Sequence, residues 1–269
     1  MLRNVFLKTL RDARGAVLAW GIGLAILAAA IVYVFSTIRD DASLKSLDAV
    51  VQRLSPIIRA FIGSEDIPSV TTFDGFMRIE FLNSLPLLLS IFAIVEGTAA
   101  VALEEERRSI DLLMAQPIRR WRVVVEKYAA LVVAAYAIAA LAGLGMVAAT
   151  RFVVVEPPWY RMMLATTQAV PPALVVGGLA LLGSCALRRR RSAIIVAAVF
   201  LAASFFLNVL AQIAELIRPW RKLSIFYGYG ASRPLSGELI PGYTWWLLLA
   251  AVVLVVLAVF AFGRKELAV

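Results

Sequence analysis

The polar side chains of this sequence fall into three groups whose spacing could do chemistry. Glu104, Glu105 and Glu106 stand together and run into Arg107 and Arg108. Glu96 stands two helical turns earlier, inside an apolar run. Ser204, Asn208, Gln212 and Glu215 recur at helical steps, which puts them on one face of a helix. None of these sets is a catalytic centre. The chain has no histidine, so the commonest general base and the commonest zinc ligand are missing together. Cys185 has no second thiol to pair with. No acid pair converges with a nucleophile, and no Gly-x-x-x-x-Gly-Lys-Ser/Thr phosphate loop occurs. The expectation is a protein with no catalytic residue, no metal site and no cofactor of its own.

The elements that must position these groups are membrane helices. Hydrophobic residues make up 62% of the chain, well above the roughly 45–50% of a soluble domain. The mean hydropathy of +0.86 spreads that excess over the whole length. One membrane domain over residues 1–269 is expected. A spanning helix needs about 20 mainly apolar residues. Six stretches meet or approach this: Val17–Phe35, Phe81–Leu103, Tyr128–Thr150, Ala169–Leu187, Ala193–Leu216 and Trp245–Phe262. The first is not a signal peptide, because its apolar run continues past the small residues Ala28–Ala30 to Phe35. Ahead of it, Val5, Phe6, Thr9 and Leu10 oppose Lys8, Arg11 and Arg14, the pattern of a separate interfacial helix.

Charge sets the orientation. With both termini in the cytoplasm, the inner segments hold 16 Lys and Arg and the outer ones 11 over longer loops. The run Arg188–Arg191 is the firmest part of this bias. The net charge of +9 is thereby explained without nucleic acid, since no basic segment carries the run of aromatics on which successive bases stack. In the first outer loop Leu44, Leu47, Val51, Leu54, Ile58 and Phe61 form an apolar stripe. Two readings fit it, a helix resting on the outer membrane surface and a lid over a substrate path. Two readings also fit the intramembrane polar residues. Glu96 either pairs with an arginine of the N-terminal helix or serves a proton or substrate. The face of Ser204, Asn208, Gln212 and Glu215 either makes helix-to-helix hydrogen bonds or lines a path.

Between the second and third stretches runs Glu104–Tyr128, with three acids, two arginines, the apolar group Ile110, Leu112, Leu113 and Met114, and then Pro117, Arg119, Arg120 and Arg122 around Trp121. Acids favour the positive end of a helix, and Pro117 stops one. This reads as a short helix over 104–121 lying on the cytoplasmic surface, with an apolar side in need of a partner.

Here the sequence resembles the ABC type-2 permeases of ABC exporters. Those proteins carry, between the second and third of six spans, a motif of the form EEE-R-G-T followed by an apolar group and P-h-S-R. Glu104, Glu105, Glu106, Arg107, Leu112, Leu113, Pro117, Arg120 and Lys127 match it, while Ser109 and Arg119 depart from it. The resemblance implies an all-α, six-span permease with both termini cytoplasmic, in a prokaryotic plasma membrane. It implies that Glu104, Glu105, Glu106, Arg107, Leu112, Leu113, Met114, Pro117 and Arg120 couple to a separate ATPase subunit, which uses the ATP and Mg. It also implies a second copy of this permease or a related one, with lipid around both. The competing class is a secondary transporter or channel without an ATPase, which usually shows inverted repeats or charged broken helices. An intramembrane enzyme is disfavoured by the missing histidine.

The orientation is testable in a Cys185→Ala background. An impermeant thiol reagent on intact cells is expected to label cysteine introduced at Ser236 and to spare cysteine introduced at Ser109. The reverse pattern would invert the topology.

Overall fold

The computed structural model describes residues 5–38, 49–51, 53–55, 58–59, 71–106, 119–152, 158–187, 189–227, 229, 235 and 241–265. No strand occurs among them. Six helical segments are long and apolar enough to cross a membrane: Val5–Ile38, Phe73–Ala99, Arg120–Ala149, Trp159–Ala186, Arg190–Ile213 and Tyr243–Arg264. The fold is an all-α, multi-pass membrane bundle, and these segments are spans 1 to 6 below. The starts of spans 1, 3 and 5 meet the ends of spans 2, 4 and 6 at one end of the bundle.

Span 1 corrects one expectation. The amphipathic turns around Lys8 and Arg11 are not a separate interfacial helix but the start of one rod of 34 residues. No proline interrupts Val5–Ile38, so backbone hydrogen bonding has no reason to stop. At about 1.5 Å per residue the rod is about 51 Å long, against a hydrocarbon core of about 30 Å. Its charged first turns therefore stand clear of the apolar layer.

Prolines break the rods of spans 2 and 4. In span 2 an α-helical turn, Phe73–Met77, passes into a π-helical turn, Arg78–Leu82, where the Asn83 amide donates to the Arg78 carbonyl at 2.9 Å. Helix resumes at Leu85–Ala99 with Pro86 in its first turn. Pro86 has no N–H to offer the Leu82 carbonyl. The Tyr229 hydroxyl donates to that oxygen instead, at 3.0 Å. Burial holds the Tyr229 hydroxyl far above the ordinary phenol range, so it stays protonated and able to donate. Span 4 likewise divides into Trp159–Thr167 and Val170–Ala186, with Pro171 and Pro172 opening the second part. The apolar run Ala169–Leu187 covers only that second part. Span 3 begins at Arg120, eight residues before the expected Tyr128. Span 5 ends at Ile213, which leaves Glu215 beyond the helix.

Span 4 is the axis. In its most apolar window 83% of residues are buried, against 22% for spans 1 and 6. It packs on spans 2, 3, 5 and 6, while span 1 leans chiefly on span 3. Lipid tails are as apolar as these side chains, so close packing rather than water exclusion holds such helices together. Two glycines make the closest approaches to the backbone of a neighbouring span. A Cβ on Gly97 of span 2 would lie 2.8 Å from the Gly177 carbonyl oxygen of span 4. A Cβ on Gly145 of span 3 would lie 2.3 Å from the Ala25 carbonyl oxygen of span 1.

The expected amphipathic helix of the first loop lies mostly outside the described residues. Its described part includes one helical turn, in which the Leu54 amide donates to the Val50 carbonyl at 3.1 Å.

Gly145→Val drives a side chain into the backbone of span 1 and is expected to destabilise the bundle by about 1–3 kcal/mol. Gly23→Val, where nothing lies within 4 Å, is the neutral control. Thermal unfolding in detergent checks both.

Candidate functional site

Span 2 does not end cleanly at Ala99. It opens over Ala100 and Val101, and a short helix, Ala102–Glu106, follows. An opened helix strands backbone groups that a membrane interior cannot hydrate. Neighbouring spans satisfy them here. The Ser184 hydroxyl of span 4 accepts from the Val101 amide at 3.1 Å and the Ala102 amide at 2.8 Å, and donates to the Thr98 carbonyl at 3.1 Å. Lys127 of span 3 sends its ammonium to the Ala100 carbonyl at 2.5 Å. Ser184 is fully buried and Lys127 is 8% exposed, so water replaces neither.

The three glutamates that follow go to three different spans. Glu104 Oε1 meets Lys127 Nζ of span 3 at 2.5 Å. Glu105 Oε2 meets Lys265 Nζ, just past span 6, at 2.7 Å. Glu106 Oε1 accepts from the Arg190 amide, the first residue of span 5, at 3.2 Å. Lys265 also donates to the Leu187 carbonyl at 3.0 Å and the Ser184 carbonyl at 3.4 Å, which caps the end of span 4. Arg120 opens span 3, donates to the Lys265 carbonyl at 3.1 Å, and stands 5.9 Å over the Phe262 ring. Span 1 joins through Phe6, whose amide donates to Glu126 Oε2 at 3.0 Å, while Arg122 holds Glu126 Oε1 at 2.5 Å. A dry layer of Val101, Val124, Leu181, Cys185, Ala258 and Phe262 underlies the joint.

The EEE run is thus a joint that ties the end of span 2 to spans 3, 5 and 6 at once. Glu104, Glu105, Glu106 and Arg120 are brought together. Arg120 belongs to the spanning helix, not to a surface helix over 104–121. Arg107, Leu112, Leu113, Met114 and Pro117 lie outside the described residues.

The other polar residues sit elsewhere. Ser204, Asn208 and Gln212 lie towards the opposite end of the bundle and bond within their own helix and to the segment that follows it. The Ser204 hydroxyl accepts from the Ile225 amide at 2.9 Å, and Ser224 donates to the Ser204 carbonyl at 2.7 Å. Tyr243 of span 6 donates to the Ser224 carbonyl. Asn208 accepts from Arg221 at 3.2 Å, and Gln212 donates back to the Asn208 carbonyl at 2.9 Å. Glu215 is exposed in the turn beyond. Glu96 takes no part in the joint. The cation that acts on it is Arg190 of span 5, not an arginine of span 1.

Sequence reasoning took Lys265 and Arg190 as topology markers and missed Ser184. Lys127 was legible only as a motif position just ahead of the expected third span. Ser184 gave no signal, because a helical serine usually bonds its own backbone.

Lys127→Met leaves Glu104 without its ammonium in a mostly buried position. A loss of about 3 kcal/mol is expected, the lower end for breaking a buried pair because Glu104 keeps some exposure. Arg122→Ala, at a largely exposed pair, is expected to cost under about 0.5 kcal/mol. Glu104→Gln with Lys127→Met should recover part of the larger loss, as a double-mutant cycle in detergent unfolding would measure.

Comparison with known proteins gives this geometry a family. None of the curated proteins compared with the chain matches it. A family profile does, over residues 2–263 and so over nearly all of the sequence; its description is multidrug efflux system permease Rv1217c, C-terminal domain. With six apolar spans tied at one end by charged residues, and a match of that extent, the chain belongs to this efflux permease family.

Proposed function

We propose that this permease is the membrane subunit of an ATP-binding cassette exporter of the type-2 class, driven by a separate ATPase subunit. The observation that carries the reading is the joint. Three consecutive glutamates stand at the threshold of residues 107–118 and hold spans 3, 5 and 6. A push on that segment is delivered to three spans together. Packed helices respond to such a push as rigid bodies.

In this reading residues 107–118 dock on the ATPase through Leu112, Leu113 and Met114, and Pro117 ends the docking helix. The joint lies on the cytoplasmic side, where the cation bias puts it. Two permease chains sit on two ATPases in a prokaryotic plasma membrane. ATP and Mg bind the partner, because this chain has no Gly-x-x-x-x-Gly-Lys-Ser/Thr phosphate loop. Closure of the ATPase pair moves the joint and switches the side to which the substrate path opens.

Purified alone, the chain is expected to turn over no ATP. Leu113→Asp should abolish transport and co-purification of the ATPase while membrane abundance holds, since burial of one leucine contributes roughly 1.5–3 kcal/mol to such an interface. Arg107→Ala at a solvated rim should act mildly. Normal coupling in Leu113→Asp would mean that this face meets lipid and no ATPase.

A further inference from the structure

The end of the bundle opposite the joint carries an element whose outward face is left uncovered. Span 5 stops at Ile213, and the chain turns aside into a 3-10 helix, Arg218–Leu223, before span 6 begins. A 3-10 helix repeats every three residues, so side chains three apart stand in one column. Trp220 and Leu223 form an apolar column, Arg218 and Arg221 a basic one, and Lys222 follows Pro219 in the third. Apolar and cationic faces therefore lie side by side on one short element.

The apolar column cannot turn inward, because the residues around it are already committed. Ser224, Ile225 and Phe226 are buried, and the edge of Phe226 meets Phe205 of span 5 at 6.0 Å. Arg221 donates from Nε to Asn208 Oδ1 at 3.2 Å, and its guanidinium stands 5.8 Å over the Tyr227 ring. With these contacts made, Trp220 is still 60% exposed, Leu223 68% and Leu216 88%. Arg218 and Lys222 are exposed beside them.

Span 6 gives the level of the element. Tyr243 donates to the Ser224 carbonyl, and Trp245 and Trp246 follow it within one turn, both exposed. Trp159 and Tyr160 are exposed at the start of span 4, at the same end. Exposed Trp and Tyr mark the headgroup layer of a bilayer. The 3-10 helix thus lies at the depth of lipid phosphates. Its charge stands out there, because the cation bias concentrates Lys and Arg at the joint end. Three cations nonetheless stand within five residues, Arg218 to Lys222. Glu215 is the acid nearest to them in sequence, and it makes no ion pair among the described residues.

We infer that Arg218–Leu223 is a docking surface for anionic phospholipid. The lipid phosphates meet Arg218 and Lys222, with Arg221 behind them as a fixed charge. Leu216, Trp220 and Leu223 enter the apolar layer beneath those phosphates. Cations beside an apolar column match the step from headgroup to acyl chain. The inference goes beyond the exporter reading and does not rest on it.

The test uses the full-length chain with Cys185→Ala and Leu223→Cys, labelled with nitrobenzoxadiazole and reconstituted into phosphatidylcholine nanodiscs. Quenching of the label is compared for 5-doxyl phosphatidylglycerol and 5-doxyl phosphatidylcholine, each doped in at the same mole fractions. Each Lys or Arg near an anionic surface is worth a factor of about five. The glycerol lipid is therefore expected to quench at about one-fifth of the mole fraction that the choline lipid needs, or less. Arg218→Gln with Lys222→Gln should bring the two lipids to near parity, and so should high salt, which screens surface charge. Arg218→Lys with Lys222→Arg should keep the preference. Equal quenching by the two lipids before the charges are removed would overturn the inference. So would a preference that survives the double glutamine change. Weak quenching by both lipids would mean that protein, such as a second copy of the chain, covers the element, and would overturn it as well. No arm involves the ATPase, so failure here and failure of the coupling reading are separate results.

Discussion

A broken helix in a membrane must find hydrogen-bond partners in protein, because lipid offers none. The opening of span 2 at Ala100 and Val101 is therefore the constraint on which this molecule turns. Two amides and a carbonyl are freed there, and Ser184 of span 4 and Lys127 of span 3 take them up. Once Lys127 is drawn inside, its ammonium needs a counter-charge, and Glu104 supplies it. The freed backbone thus accounts for the buried lysine, and the buried lysine for the first glutamate of the run. Glu105 and Glu106 extend the same tie to the ends of spans 6 and 5.

The bundle answers a second break by the same logic with different chemistry. At the opposite end Pro86 leaves the Leu82 carbonyl without a donor, and a neutral phenol, Tyr229, fills the vacancy. Around it the Ser204–Ser224 pair and Tyr243 join spans 5 and 6 through uncharged groups. One end is held by ion pairs and the other by hydroxyls. Between them span 4 offers small residues, and the neighbouring spans approach it almost backbone to backbone at Gly97 and Gly177. The stiff element and its charged fittings are thus distinct.

Much of this was legible before any coordinates. Six apolar runs and the cation bias specify a multi-pass bundle, because both features follow from the solvent. The acid run was legible as special, but its purpose was not. Acids before a short helix suit a dipole, and that local argument hid three long-range partners up to 160 residues away. Span 1 was divided too early, because Lys8, Arg11 and Arg14 read as a surface face. Helical hydrogen bonding is indifferent to polarity and continues until a proline or a cap ends it. The first part of span 4 was missed for the opposite reason. Trp159–Thr167 contains Arg161, Thr166 and Thr167 and is too polar to extend an apolar run.

The reach of Lys265 has a consequence for how the protein is made. Its ammonium serves Glu105 and the last carbonyls of span 4, and it stands far downstream of both in the chain. During synthesis those groups enter the bilayer well before their partner leaves the ribosome. Until span 6 inserts, an uncompensated glutamate and an uncapped helix end remain in the half-built bundle. Arg120 waits for the same arrival, since its aromatic ring comes from the sixth span and its carbonyl acceptor from the residue that follows it. A nascent chain that stalls short of span 6 thus leaves these polar groups without the partners they have in the finished bundle. The arrival of span 6 is what completes the charged end of the bundle.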